Sequence, residues 1–216
     1  MYILVTPVKN EESYLPRVAE AVVGQTQPPV LWFIVDDGSS DDTPKIIEDL
    51  TNSFDWIQSQ RLPEHPRDIT FHYSFVCRNG FDKAIGYCRA NGIEYDYICL
   101  LDADTVVEEE YFEKLFQEFE KDDQLGIASG YIYDLVSETI PWDEIERNRP
   151  NGKLPRGSGR VWRKSCFFET EGYLEELSPD SISNVKALLR GWKIAEIGHI
   201  LAIQQRQTSG ADGLWK

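Results

Sequence analysis

The sequence predicts an α/β fold, with one mostly parallel sheet flanked by helices on both faces. Two observations carry that prediction. Apolar runs of strand length alternate with segments whose apolar residues recur at helical spacing, four times in succession. Acidic and glycine-rich turn residues collect where several of those runs end. A strand–helix succession implies right-handed crossovers, hence parallel strands covered by their connecting helices.

Each element has its own signal. "YILVTPV" (Tyr2–Val8) reads as a buried strand, and "ESYLPRVAEAVVGQ" as a helix with Leu15, Val18, Ala19, Val22 and Val23 on one face. Pro16 suits an early helical turn, where its missing N–H costs nothing. "VLWFIVDD" is a second buried strand, and "DDTPKIIEDL" opens a second helix with Thr43 as N-cap and Pro44 in its first turn. "ITFHYSFV" reads as a third strand, and "DKAIGYCRANG" as a third helix closed by Gly92. "YDYICLLDAD" is the fourth strand; "EEEYFEKLFQEFEK" then sets Tyr111, Phe112, Leu115, Phe116 and Phe119 on one helical face. After "LGIASGYIYD" the pattern loosens, and 135–159 reads as a long mobile loop. Helices at about 164–170 and 181–190, the latter stopped by Gly191, precede a last strand, "KIAEIGHILAI".

Composition narrows the function classes. At 216 residues with 41% hydrophobic residues, the chain is expected to form a single domain, 1–216. A formal charge of -15 repels phosphate backbones and argues against nucleic acid as a partner. A small anionic substrate stays compatible if a metal ion supplies local positive charge. Cys77, Cys88, Cys99 and Cys166 form no C-x-x-C pair and sit in apolar patterns, so buried free thiols are expected. His65, His72 and His199 show no metal-ligand spacing. Neither a secretory signal nor an apolar stretch of about 18 residues is present.

Ligands of parallel sheets bind beyond the carboxyl ends of the strands, and Asp36, Asp37, Arg78, Asp102 and Asp104 fall at such predicted ends. "IVDDGSSDDT" can offer acceptors to a base or ribose, or can be a plain turn with a helix cap. "LLDADT" is sharper. The two-residue period of a strand projects Asp102 and Asp104 to the same side, and hard divalent ions use one or two carboxylates plus phosphate oxygens.

"TPVKNEESYLPRVAEAVVGQT", "FIVDDGSSDDT", "NGFDKAIGYCRANG" and "LLDADTVVEEEYF" together resemble successive blocks of the family 2 glycosyltransferases. The pattern is similar to prokaryotic and archaeal membrane-associated members and to dolichol-phosphate-mannose-synthase-like enzymes. The resemblance implies a GT-A fold with a Rossmann-like sheet. It also implies inverting transfer of a sugar from a nucleoside-diphosphate donor to an acceptor hydroxyl or lipid phosphate, with Mg²⁺ or Mn²⁺. Carried over, Thr6, Pro7 and Glu11 line the nucleobase pocket, Asp36 binds the base and Asp37 lies nearby. Asp102 contacts ribose or the metal through water, and Asp104 ligates the metal directly. Lys83, with Arg78 as a second candidate, meets the donor phosphates; solvated helix-start residues are the alternative.

"RGSGRVWRKSCFFETEGYLEELSPDSISNVKALLRGWK" resembles the acceptor-side segment. There Gly157, Ser158 and Gly159 let the backbone approach the donor sugar, and Asp180 is the general base. A helix-capping role for Asp180 stays open. Pro179 stands where many relatives carry a second carboxylate. Arg206 in "QQRQTSG" corresponds to an arginine that meets the diphosphate, against the alternative of an exposed tail residue. On this reading 1–105 is a nucleotide-binding half and 106–216 an acceptor-side half. Because such relatives continue into membrane segments, the chain is expected to be the soluble core of a longer protein. That protein is expected at the cytoplasmic face of the membrane, anchored by a segment absent from this chain and acting on a lipid-linked or glycan acceptor. The rival enzyme is a sugar-phosphate nucleotidyltransferase, whose glycine-rich phosphate loop "TPVKNEES" lacks. The rival non-enzyme is a nucleotide-sugar-binding protein.

Overall fold

The computed structural model describes residues 1–64, 71–134, 142, 145 and 149–206. Its strands are β1 (Tyr2–Val8), β2 (Leu31–Asp36), β3 (Ile57–Arg61), β4 (Tyr97–Leu100), β5 (Thr105–Val107), β6 (Leu125–Asp134), β7 (Arg160–Arg163) and β8 (Lys193–Gln204). Its helices are α1 (Leu15–Val23), α2 (Thr43–Ser53), α3 (His72–Asn91), α4 (Tyr111–Lys121), α5 (Lys164–Glu169) and α6 (Pro179–Leu189). All eight strands join one sheet in the order β3-β2-β1-β4-β7-β6-β8-β5. β3, β2, β1 and β4 run parallel, as does β6 beside β8, while β7 and β5 pair antiparallel to their neighbours.

Strand alternation divides the core into two layers. Tyr2, Leu4, Trp32 and Ile34 face one way and pack with α1, α2 and α4, where Val18, Ile47, Phe112 and Phe116 meet them. Ile3, Val5, Phe33 and Val35 face the other way, under Cys77, Phe81, Phe167 and Ala187 of α3, α5 and α6. All four cysteines are buried free thiols.

Several expectations change. The third strand is not "ITFHYSFV" but Ile57–Arg61, and Phe71, Tyr73 and Phe75, whose alternation suggested a strand face, are exposed at the start of α3. The buried residues of that helix are Cys77, Phe81, Ala84 and Cys88, a three-and-four spacing. β3 escapes notice because it is an edge strand bonded only to β2 and carries a single buried apolar residue, Ile57. β5 and β7, of three and four residues, are too short to carry a pattern of their own. Asp42, not Thr43, occupies the N-cap of α2, while Asp41 Oδ1 accepts the Thr43 N–H at 3.0 Å. Of the expected 135–159 loop, residues 135–141, 143–144 and 146–148 lie outside the described residues.

α3 is held against the sheet at Gly80. A Cβ there would lie 2.6 Å from Val5 Cγ1 and 2.9 Å from Val35 Cγ2, whereas a Cβ on Gly86, later in the same helix, would meet nothing within 4 Å. Gly80→Ala is therefore expected to destabilise the chain by about 1–3 kcal/mol through overpacking. Gly86→Ala should instead stabilise it by about 0.5–1 kcal/mol through helix propensity. Urea melts of the two variants check this; equal midpoints would contradict the packing.

Candidate active site

β1 lies between β2 and β4, so the connections leave it in opposite directions and open a crevice beyond its carboxyl end. A cleft of about 310 Å³ occupies that crevice. Pro7, Lys9 and Glu11 reach it from the end of β1, Asp37 from β2, and His72, Tyr73 and Val76 from α3. Asp102, Ala103 and Asp104 enter after β4, and Gln204 at the end of β8. A second groove of about 540 Å³ adjoins it, sharing Asp102 and Gln204 and lined further by Tyr131, Tyr133, Arg156, Gly157 and Ser158.

On the β2 side of the cleft, His72 Nε2 lies 2.7 Å from Asp37 Oδ1, and Lys9 Nζ donates to the Asp37 carbonyl at 2.8 Å. Asp37 is thus the carboxylate that faces the cleft. Asp36 turns the other way, accepting the Ser39 N–H at 2.9 Å and lying 3.4 Å from Arg61 Nε. That corrects the expectation that Asp36 meets the ligand. Thr6 is corrected too: it points into the core, 0% exposed, and its hydroxyl accepts the Trp32 indole N–H at 2.9 Å. Pro7, on the opposite parity of β1, takes the place in the cleft.

In the middle, Asp102 and Asp104 both line the cleft, from the turn between β4 and β5 rather than from a strand with a two-residue period. Tyr73 donates to Asp102 Oδ1 at 2.7 Å, and the Asp102 N–H donates to Ser158 Oγ at 2.9 Å. The end of β8 closes over Asp104. The Gln205 N–H donates to its carbonyl at 2.8 Å, and Arg206 Nε lies 4.0 Å from Oδ2. Arg206 Nη2 also donates to Glu11 Oε2 at 2.6 Å, with the guanidinium 5.0 Å over the Tyr14 ring. Arg206 therefore belongs to the cleft.

Arg78 and Lys83 do not join it. Both lie within α3 rather than at a strand end; Arg78 pairs with Asp82 and Glu175, and Lys83 is exposed. His72 and Tyr73 already bring the helix start to the cleft. At about 1.5 Å per residue Lys83 lies roughly 16 Å further along the axis.

The acceptor-side residues gather on the other flank. Gly159 adopts φ 62°, which favours glycine, and its carbonyl accepts the Tyr111 hydroxyl at 2.7 Å. Gly157 lies against Asp180: a Cβ there would stand 2.5 Å from Oδ2. Asp180 follows Pro179 in the first turn of α6, while Ser178, at φ 55°, holds the N-cap position. Beneath both lies Arg160, fully buried. Its guanidinium donates to the carbonyls of Arg156, Pro155 and Asp180 and to Asn184 Oδ1, at 2.8–3.2 Å, and stands 3.9 Å from Asp180 Oδ1.

A sequence profile described as glycosyl transferase family 2 matches residues 3–190. The chain belongs to that family. It is 26% identical over 203 residues to chondroitin synthase of Escherichia coli, covering 89% of this chain and 26% of that protein. It is 29% identical over 132 residues to glycosyltransferase GlyG of Streptococcus pneumoniae serotype 4, covering 61% of this chain and 39% of that protein. The chain thus spans about a quarter to two fifths of the curated relatives it matches. Among solved structures, S. aureus TarS 1-349 in complex with UDP-GlcNAc superposes with TM-score 0.69 at 14% identity, covering 95% of this chain and 59% of that one. The mannosyltransferase PcManGT from Pyrobaculum calidifontis, in complex with GDP-Man and Mn2+, gives 0.67 at 12% identity, covering 97% and 58%. These likenesses show the GT-A fold.

The electrostatics of this family 2 chain centre on crowded carboxylates. Burial pushes Asp102 up to about 7; the Tyr73 hydroxyl opposes that, and the like charges of Asp104 and Asp180 add to it. Burial likewise pushes Glu11 up to about 7, against the pull of Arg206 and with the push of Asp104. Among the described residues no three His, Cys, Asp or Glu side chains converge as a complete cation cage. The pair Asp102 and Asp104 suits an ion that completes its shell with phosphate oxygens and water. No described helix is long and apolar enough to cross a membrane.

Lys9, His72 and Tyr73, which line the cleft, and Arg160 beside Asp180 were not singled out by the sequence reading. The arginine after "RGSG" carried a signal in its surroundings. The others become site residues only when α3 and the 173–180 segment fold against the strand ends.

A carboxylate whose folded pKa exceeds its ordinary value binds more protons folded than unfolded. Its contribution is therefore favourable below the ordinary range and is lost as pH rises toward about 7. Without metal, Asp102→Asn is expected to melt higher than the parent chain at pH 8 and to lose that advantage at pH 4. A thermal-melt series finding the same difference at both pH values would contradict the buried charge.

Proposed function

We propose that the chain is an inverting, metal-dependent glycosyltransferase that moves a sugar from a nucleoside-diphosphate donor to an acceptor hydroxyl. One observation carries the reading: Asp102 and Asp104 border one side of a continuous cleft, and Asp180 stands across the Gly157–Ser158–Gly159 segment from them. The family membership and the fold support it.

In this reading the nucleoside lies along Pro7, Glu11, Asp37 and His72, and the diphosphate beside Asp102 and Asp104. Bound to that pair, Mg²⁺ or Mn²⁺ supplies positive charge to the leaving diphosphate. Arg206, now on Glu11, is within a side-chain swing of the same phosphates and suits bidentate recognition. The donor sugar lies by Gly157, whose missing side chain lets Asp180 close directly onto the backbone. Asp180 takes the proton of the acceptor hydroxyl as the new oxygen–carbon bond forms at the anomeric centre. The bond to the diphosphate breaks on the opposite face, and the nucleoside diphosphate departs. The adjoining groove, with Tyr131, Tyr133 and Gln204, holds the acceptor. A lipid-linked acceptor and a glycan both suit that placement. A nucleotidyltransferase fits less well, because the segment after β1 presents Glu11 and Glu12 where phosphates would need cationic or glycine-rich backbone.

Asp104→Ala is expected to abolish Mn²⁺-dependent binding of UDP- and GDP-sugars, read by calorimetry; unchanged affinity would remove the metal role. Asp180→Asn should bind donor normally and lose turnover by about a hundredfold or more. Near-normal release of nucleoside diphosphate would remove Asp180 from the chemistry.

A further inference from the structure

Two tyrosine hydroxyls reach the two ends of the proposed reaction path. Tyr73, in the first turn of α3, donates to Asp102 Oδ1 at 2.7 Å. Tyr173, 3% exposed, lies 3.3 Å through its hydroxyl from Asp180 Oδ1, and its ring packs against Phe81 and Trp162 at 5.4 and 6.0 Å. Cys77, one turn after Tyr73 on the same helix, is fully buried. The Arg78–Glu175 ion pair, at 3.8 Å, ties the same helix to the same segment on the surface.

The geometry points to Tyr73 and Tyr173 as a pair of positioning residues, one aiming Asp102 at the donor phosphates and the other aiming Asp180 at the attacking hydroxyl. This inference rests on the glycosyltransferase reading and deepens it. A carboxylate at a cleft wall can rotate about its Cβ–Cγ bond, which is broad and two-fold. Fixing Oδ1 leaves the second oxygen as the one presented to the cleft. For Asp180 the presented atom is Oδ2, which stands beside Gly157. For Asp102, the backbone N–H to Ser158 Oγ fixes the residue and the Tyr73 hydroxyl fixes the carboxyl plane. Arg160 adds a second constraint on Asp180 through its carbonyl, so only the side-chain rotation is left for Tyr173 to control.

Replacing each tyrosine by phenylalanine removes only the hydroxyl and keeps the ring packing. The probes are UDP-GlcNAc and GDP-mannose, each with Mn²⁺, with affinity read by calorimetry and turnover by release of nucleoside diphosphate into water. Tyr73→Phe is expected to weaken Mn²⁺–nucleotide-sugar binding about tenfold and to leave turnover at saturating donor within about twofold. Tyr173→Phe is expected to show the reverse, normal affinity and about tenfold slower turnover. In an Asp102→Asn background, Tyr73→Phe should add no further loss of affinity. Equal losses of affinity and turnover in both variants, tracking a lowered melting temperature, would mean a structural role and overturn the inference. So would variants indistinguishable from an active parent. A parent chain that binds neither nucleotide sugar would instead overturn the functional reading on which the inference rests.

Discussion

The buried guanidinium of Arg160 is the constraint on which the candidate site depends. A cation with no exposure to water is tolerated only when its donors are satisfied. Here backbone carbonyls from 155, 156 and 180 and the Asn184 amide oxygen do so, with Asp180 supplying opposite charge nearby. Removing one partner of such an arrangement typically costs about 3–5 kcal/mol, so those carbonyls cannot drift without penalty. The 155–159 segment and the start of α6 are locked to each other, and Gly157 and Asp180 are pressed together as a result. Trp162 beneath the guanidinium, at 5.2 Å, ties this polar core to the apolar layer of α3 and α5.

The opposite side of the cleft is held by weaker means. Asp102 and Asp104 sit in a turn between two strands, fixed by Ser158, Tyr73 and the end of β8. Their mutual repulsion, with Asp180 and Glu11 close by, opposes the folded state in the absence of a cation. The molecule thus sets a tightly braced flank at Asp180 against a charge-crowded flank at Asp102 and Asp104. On the proposed reading, donor and ion relieve that crowding while the proposed base is already placed.

How much of this was legible along the chain depended on the range of the forces involved. β1, β2, β4, α1 and α4 carry strong local patterns, because their apolar residues are the ones buried against the sheet. "LLDADT" was legible as the acidic end of a buried apolar run, although the strand stops at Leu100 and both aspartates lie in the turn that follows. β3 was not, since an edge strand needs few apolar residues. The start of α3 was misread because Phe71, Tyr73 and Phe75, whose alternation imitates a strand, are exposed on a helix. Arg78 was read as a strand-end cation for the same reason, and Lys83 as lying at a helix start instead of well inside α3.

The sequence by itself determined most of the sheet with its flanking helices and the acidic turn after β4, since these follow from local patterns; the small-residue turn and the candidate base came from the family resemblance. Only the tertiary structure decided which neighbour of a pair faces the cleft: Asp37 rather than Asp36, Pro7 rather than Thr6. It also brought Arg206 from the far end of the chain onto Glu11, and Tyr73 and Tyr173 onto their carboxylates. Those contacts join residues up to 195 positions apart. Spacing along the chain carries no information about them, because they form only when the strand ends are assembled into one crevice.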